Sequence, residues 1–362
     1  MSKKRILTIV GARPQFIKAA AVSHAIRDGY AASIEEELLH TGQHYDDNMS
    51  ANFFRELDIP QPHYNLGIGS GRHGEQTALM LKGIEQVLID GNYDGVIVYG
   101  DTNSTLAGAL AAAKMHIPVF HIEAGLRSFN RDMPEELNRV LTDHASALLF
   151  APTQTAVDNL AREGFSQETV LFSGDVMLDN VLHYTPLALN NSKLKTQSPD
   201  FILATVHRDF NTDNPIRLNG IMAALNETAE QFGCEVLFPV HPRTAKRLST
   251  MPKGTVSERV KMVEPMSYLE TLAALKGARL VMTDSGGLQK EAYFCGRPCV
   301  VLRPETEWVE IVYAGAAELA DADSMKIAAA TARLWNCTPQ PPTQFGDGHA
   351  AERILKQIAA FF

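Results

Sequence analysis

Residues 6–20 read ILTIVGARPQFIKAA. Ile6 to Val10 form an unbroken apolar and β-branched run, the pattern of a strand covered on both faces. The run stops abruptly at Gly11-Ala12-Arg13-Pro14, and the spacing then predicts a helix with Lys18 in its first turns. A strand that hands over to a helix leaves free N–H groups and the positive end of a helix dipole at the junction. Arg13 and Lys18 at such a place predict an anion to be held there.

The same handover recurs along the chain. Apolar runs stand at 36–40, 95–100, 118–122 and 147–152, and again at 201–206, 235–240, 259–263, 279–283 and 298–302. Between them lie good helix formers such as NSTLAGALAAAKMH and GGLQKEAYFCG. Strands alternating with helices predict parallel sheets with helices on both faces. With the first run included, ten strands fall into two sets of five, which predicts an α/β protein of two Rossmann-like domains facing a central cleft. The strand rhythm lapses over 173–200, where Asn, Ser and Pro collect, so the domains are placed at 1–174 and 175–345. A Pro-rich linker, CTPQPPTQFGDGHA (337–350), then precedes a helix over 346–362 expected to cross back to the first domain.

At 362 residues the chain suits two domains, and 45% apolar with 21% charged residues is an ordinary globular composition. A net charge of −9 without a basic block argues against nucleic acid. No signal-peptide pattern and no apolar run of transmembrane length is read, so a cytoplasmic protein without a membrane partner is expected. Cys234, Cys295, Cys299 and Cys337 show no CxxC spacing and are read as reduced thiols, with no metal.

In open parallel sheets, ligands bind beyond the carboxyl ends of the strands. Those ends here lead to Arg13 and Lys18, Gln43 and His44, Asp101, then Glu123 and Arg127. In the second half they lead to His207 and Arg208, His241 and Arg243, Asp284 to Gly287, and Arg303 to Glu307. In TDSGGLQKEA (283–292), Ser285 caps a helix while Gly286 and Gly287 let a ligand approach, a diphosphate cradle with Glu291 one turn on for a ribose diol. GSGRHG (69–74) is formally GxGxxG, but the first βα turn carries GARPQ instead, so no NAD is inferred and no cofactor is expected. Asp101, Glu123, Glu135 and Glu136, close in sequence to arginines, suit general acid–base work because environment separates their protonation behaviour.

Together GARPQFIK, HTGQH, GDTNSTLAG, HIEAGLRS, PEELNR, TVHRDF, PVHPR, TDSGGLQKEA, TEWVE and FGDGHA resemble the non-hydrolysing UDP-N-acetylglucosamine 2-epimerase family over nearly the whole chain. The resemblance implies a glycosyltransferase-B type fold, a homodimer and a UDP-sugar substrate. It implies elimination of UDP to a 2-acetamidoglucal and re-addition from the other face, without nicotinamide. It places Asp101, Glu123 and Glu135 as acid–base groups and His207 as important for turnover. It sets Arg13 and Lys18 toward the β-phosphate, Gln43 and Arg127 among the substrate-binding residues, and Ser285, Gly286, Gly287 and Glu291 on diphosphate and ribose.

Family members using plain UDP-N-acetylglucosamine commonly show a longer insert before PEE, HRREN for HRDFN here, and TERPE for TEWVE here. The short SFNRDMPEE and TEWVE resemble the branch acting on UDP-2,3-diacetamido-2,3-dideoxyglucuronate, where Arg131 either meets a C6 carboxylate or is simply solvated. A UDP-sugar glycosyltransferase of the same fold and a hydrolysing epimerase are the competing readings.

Overall fold

In a computed structural model, residues 3–42, 54–191, 200–252 and 254–362 are described. The chain forms two compact units, Met1–Asn180 with Thr343–Phe362, and Val181–Pro342.

The first unit holds a parallel sheet in the order β3-β2-β1-β4-β5-β6-β7. Its strands are β1 (Lys4–Val10), β2 (Ile34–His40), β3 (Tyr64–Asn65), β4 (Gly95–Tyr99), β5 (Val119–Ile122), β6 (Leu148–Ala151) and β7 (Val170–Phe172). The opening run Ile6 to Val10 is fully buried, as a central strand covered on both faces must be. Its helices are α1 (Arg13–Ala25), α2 (His73–Gly91), α3 (Asn103–Lys114), α4 (Pro134–Ala145), α5 (Gln154–Arg162) and α6 (Val176–Asn191), inside which the unit boundary falls. One side of the sheet packs Leu7, Ile9, Val96 and Val98 against Met80 and Ile84 of α2 and Ala107 and Ala111 of α3. Each fully buried Leu or Ile there contributes about 1.5–3 kcal/mol. Gly108 lets α3 approach closely, since a Cβ at that position would stand 2.7 Å from Cδ1 of Ile9.

The second unit repeats the plan with the order β10-β9-β8-β11-β12-β13. The strands are β8 (Phe201–Thr205), β9 (Glu235–Pro239), β10 (Val260–Val263), β11 (Leu280–Thr283), β12 (Cys299–Val301) and β13 (Ala317–Leu319). Ile202, Val236, Phe238, Leu280 and Met282 form its core with Ile221, Leu225 and Ile327 from flanking helices. Of those helices α7 (Asp209–Thr212), α8 (Pro215–Phe232), α9 (Pro242–Leu248), α10 (Tyr268–Gly277) and α11 (Gly286–Phe294) precede α12 (Val309–Tyr313) and α13 (Ser324–Leu334). The last helix, α14 (Ala350–Phe361), packs on the first unit. Its first amides, Ala350 and Ala351, donate to Asp179 at 3.1 and 2.8 Å, and Phe361 meets Phe120 edge to face.

All ten expected strands are present, and the described residues hold three more: β3, β7 and β13. These have only two or three residues, and β3 and β13 include polar ones, too short and mixed to announce themselves by pattern. In each sheet the strand order turns back at a switch point, between β1 and β4 and between β8 and β11. Those two places position the chemistry.

Candidate functional site

At the first switch point β1 runs out into Gly11 and Ala12, and α1 opens with Arg13-Pro14. Proline suits a first helical turn because its missing N–H has no partner there anyway. Gln15 closes the turn: its Oε1 accepts from the amides of Gly11 (2.8 Å) and Ala12 (3.0 Å). Its own amide group donates to the Tyr99 carbonyl and the Thr105 hydroxyl, both at 2.9 Å. The N–H groups that a glycine-rich dinucleotide turn offers a pyrophosphate are here already bonded within the chain. The GSGRHG segment leads into α2, which starts at His73.

Arg13 is half-buried at the start of α1. Lys18, 8% exposed, forms an ion pair with Glu123, which is equally buried. Glu123 has φ +70°, left-handed space that a non-glycine residue enters at a cost of about 1–3 kcal/mol. Its amide and that of Ala124 both donate to the Phe150 carbonyl at 3.1 Å, which holds the turn in that shape. Strain held by surrounding bonds next to a buried ion pair is a common mark of a working residue.

Asp101 follows Gly100 at the end of β4 and precedes α3, whose N-cap is Thr102. Arg139 of α4 pairs with the Asp101 carboxylate and, at 2.9 Å, with Glu136. Asn138 donates to the Asp101 carbonyl (2.9 Å) and to Asn103 Oδ1 (3.2 Å). Neither Asn138 nor Arg139 was singled out from sequence, although both stand in the quoted PEELNR. The adjacent acids of that motif separate. Glu136 is 3% exposed and accepts from the amides of Ser128 (2.9 Å) and Phe129 (3.0 Å), so it fastens the short 128–133 loop. Glu135 is half-buried in the first turn of α4.

Arg127 turns inward. Its guanidinium donates to Glu163 at 2.7 and 2.6 Å and to the Leu126 carbonyl at 2.7 Å, and it pairs with Asp143 at 2.7 Å. With its side chain 1% exposed, it braces the loop after β5 rather than facing a substrate. Gln43 and His44 lie outside the described residues. Arg131 is exposed in the 128–133 loop.

At the second switch point, fully buried Asp284 organises the end of β8. It accepts from the amides of His207 (3.1 Å) and Arg208 (3.0 Å) and from Asn211 Nδ2 (3.1 Å). Its Oδ1 also stands 3.3 Å from His207 Nδ1, orienting an imidazole that is 44% exposed. Ser285 caps α11, accepting from the Leu288 amide at 3.4 Å. A Cβ on Gly287 would meet nothing within 4 Å, and one on Gly286 would come no closer than 3.7 Å, to Trp308 Nε1. Among the described residues nothing demands glycine at either position. Glu291 is 6% exposed one turn along α11. The loop beside the glycines is firmly held: Arg303 and Glu307 form a bidentate pair at 3.0 Å, and Thr306 donates to Gln289 at 2.7 Å. Among the described residues no cluster of His, Cys, Asp and Glu is arranged to hold a metal ion, and no helix is long and apolar enough to cross a membrane.

Each unit is thus a doubly wound sheet with its buried ion pairs and helix starts gathered at the switch point, the class of fold that holds nucleotide-type ligands at that edge. The family model described as UDP-N-acetylglucosamine 2-epimerase matches residues 29–359. The chain belongs to that family. It is 48% identical to UDP-2,3-diacetamido-2,3-dideoxy-D-glucuronate 2-epimerase of Pseudomonas aeruginosa, over 98% of this chain and 99% of that protein. Among solved structures, UDP-GlcNAc 2-epimerase of Methanocaldococcus jannaschii in complex with UDP-GlcNAc and UDP is similar at TM-score 0.90 and 41% identity, covering 98% of this chain and 99% of that one. The Neisseria meningitidis UDP-GlcNAc 2-epimerase bound to UDP-GlcNAc is similar at TM-score 0.89 and 27% identity, over 98% and 100% of the two chains.

Proposed function

We propose that this chain epimerises C2 of a UDP-2-acetamido sugar without hydrolysing it, and that its preferred sugar is the 2,3-diacetamido-glucuronate. The C2–H is not next to a carbonyl, so direct deprotonation is prohibitive. Breaking the C1–O bond first makes C1 cationic and acidifies C2–H. A carboxylate then takes the proton, leaving a 2-acetamidoglucal with UDP still bound. A carboxylic acid returns a proton from the opposite face, and UDP adds back to C1. Asp101, Glu123 and Glu135 are the acid–base groups in this reading, with His207 contributing to turnover. Arg13 meets the β-phosphate, the charge that grows as C1–O breaks, and Ser285, Gly286, Gly287 and Glu291 hold diphosphate and ribose. Lys18 acts through Glu123, the group it pairs with. Arg127 is left out of the substrate set because its donors are taken by Asp143, Glu163 and Leu126.

One observation carries the reading: a strained, buried carboxylate, Glu123, just past β5, is paired with a lysine of α1 beside β4, the strand that leads into Asp101. The diacetamido preference rests on the short SFNRDMPEE link and TEWVE, and on the 48% identity to the relative of that name. The enzyme is proposed to work in the cytoplasm as a homodimer.

The test is incubation in D2O, without NAD, of UDP-N-acetylglucosamine and separately of the UDP-2,3-diacetamido uronate, with proton NMR on H2. Deuterium at C2 with a gluco–manno mixture is expected, faster for the uronate. No exchange in either sugar, even with UDP-N-acetylglucosamine added as activator, overturns the epimerase reading. A faster plain sugar overturns the preference.

A further inference from the structure

His121 is fully buried two residues before Glu123, and nothing above gives it a role. Its Nε2 lies 2.8 Å from the Gly100 carbonyl oxygen, and its Nδ1 lies 2.7 Å from Asp143 Oδ1. A backbone carbonyl only accepts a hydrogen bond. The other oxygen of Asp143, Oδ2, takes the Arg127 guanidinium at 2.7 Å and the Gly125 amide at 3.2 Å. The guanidinium charge at Oδ2 favours the carboxylate form, in which Oδ1 is an acceptor toward the ring. Both neighbours of the ring are therefore acceptors, and both ring nitrogens must carry hydrogen for the contacts to be hydrogen bonds.

We propose that His121 is an imidazolium in the working enzyme and a positioning residue for Asp101 and Glu123. One N–H holds the peptide between Gly100 and Asp101, and the backbone of its own strand leads into Glu123. The neighbouring ends of β4 and β5 are thereby fastened to one cation. Gly100 also lies beside Glu123 itself: a Cβ there would stand 3.3 Å from Glu123 Oε1 and 3.0 Å from Lys18 Nζ.

The charged groups of this region come from several elements. Lys18 comes from α1 and Asp101 from the end of β4. Glu123 and Arg127 follow β5, Glu136, Arg139 and Asp143 stand on α4, and Glu163 follows α5. Arg127 meets both Asp143 and Glu163, Arg139 meets both Asp101 and Glu136, and Lys18 pairs with Glu123. Three cations thus face five carboxylates, and an imidazolium supplies a fourth positive charge.

The inference rests on the epimerase reading for its kinetic arm only. In the wild-type protein, nitrogen-15 NMR of the His121 ring is expected to show two protonated nitrogens at neutral pH. A ring with a single N–H at neutral pH overturns the proposal whatever the protein catalyses. In the kinetic arm, His121→Gln keeps a donor but loses the charge and one of the two bonds. Its kcat for H2 exchange is expected to fall on the order of 10²-fold, with KM little changed and the acidic limb of the kcat profile moved to higher pH. A fall in kcat without movement of that limb assigns His121 a packing role and overturns the electrostatic part. If the variant fails to fold, the wild-type ring spectrum still decides.

Discussion

Glu123 adopts φ +70° and directs its carboxylate onto the ammonium of Lys18, with both side chains at most 10% exposed. A buried ion pair contributes little net stability, but removing one partner leaves a desolvated charge that costs about 3–5 kcal/mol. Lys18→Met keeps the length and apolar stem of the side chain and deletes only the charge. The variant is expected to lose stability of that order in urea unfolding and to lose turnover on the order of 10²-fold. The double variant with Glu123→Gln is expected to be more stable than the sum of the single changes implies, because it removes both charges. Strict additivity would show that the two groups do not interact.

Asp284 and His207 give a second relationship, this time of support. Asp284 is fully buried and accepts from His207, Arg208 and Asn211. Asp284→Asn replaces one acceptor oxygen with a donor that faces other N–H groups, so about 1–3 kcal/mol is lost for each bond left unmade. The loop carrying His207 loosens with it. Turnover is expected to fall while the affinity of the glycine cradle for free UDP, read by calorimetry, stays within about threefold, a change of about 0.65 kcal/mol. Equal loss of both would place Asp284 at the ligand rather than behind His207.

The central strands were legible because they are unbroken apolar runs, and the residues just past their ends, Asp101, Glu123, His207 and Ser285, could be read from position alone. The three short strands were not, since Tyr64-Asn65 or Ala317-Glu318-Leu319 carries no period long enough to detect. Sequence also could not tell which cations the fold uses internally. Arg127 looked like a ligand for substrate, yet its partner Glu163 is 36 residues away and becomes a neighbour only when α5 packs beneath the loop. The reverse holds for Asn138, Arg139 and His121, which lay inside quoted motifs but have partners on other elements. Gln15 was likewise hidden: two of its four bonds join α1 to Tyr99 and Thr105, 84 and 90 residues on.

The clasp between α6 and α14 responds to pH. Burial pushes the Asp179 carboxyl up to about 6, against the amides of Ala350 and Ala351, which draw it down. A folded value above the unfolded value of about 3.9 means that the fold favours the protonated form. The contribution from this group is therefore fully present below about pH 4 and is lost as pH rises through about 6. A shift of roughly two units corresponds to about 3 kcal/mol between those limits. The urea-unfolding free energy of the wild type minus that of Asp179→Asn is expected to fall by that order between pH 4 and pH 7. A difference that stays flat would refute the shift.

Two glycines at helix starts separate a glycine required by the fold from one left open for a ligand. A Cβ on Gly11 would collide with the buried hydroxyls of Thr41 and Ser104, which bond each other at 2.8 Å. Gly11→Ala is therefore expected to cost about 1–3 kcal/mol of stability by overpacking, with ligand affinity following only as the fold is lost. A Cβ on Gly287 meets nothing within 4 Å, and its φ is not in the left-handed region. Alanine in that first helical turn is tolerated, so Gly287→Ala is expected to leave stability within about 0.5 kcal/mol of wild type, as open surface positions do. Its methyl group would project where the bare backbone receives the diphosphate. UDP affinity is accordingly expected to fall at least about tenfold, or 1.4 kcal/mol, measured by calorimetry on a fully folded variant. Unchanged UDP affinity in Gly287→Ala would mean that the start of α11 is not where the diphosphate lies, and the assignment of Ser285, Gly286 and Gly287 would fall with it.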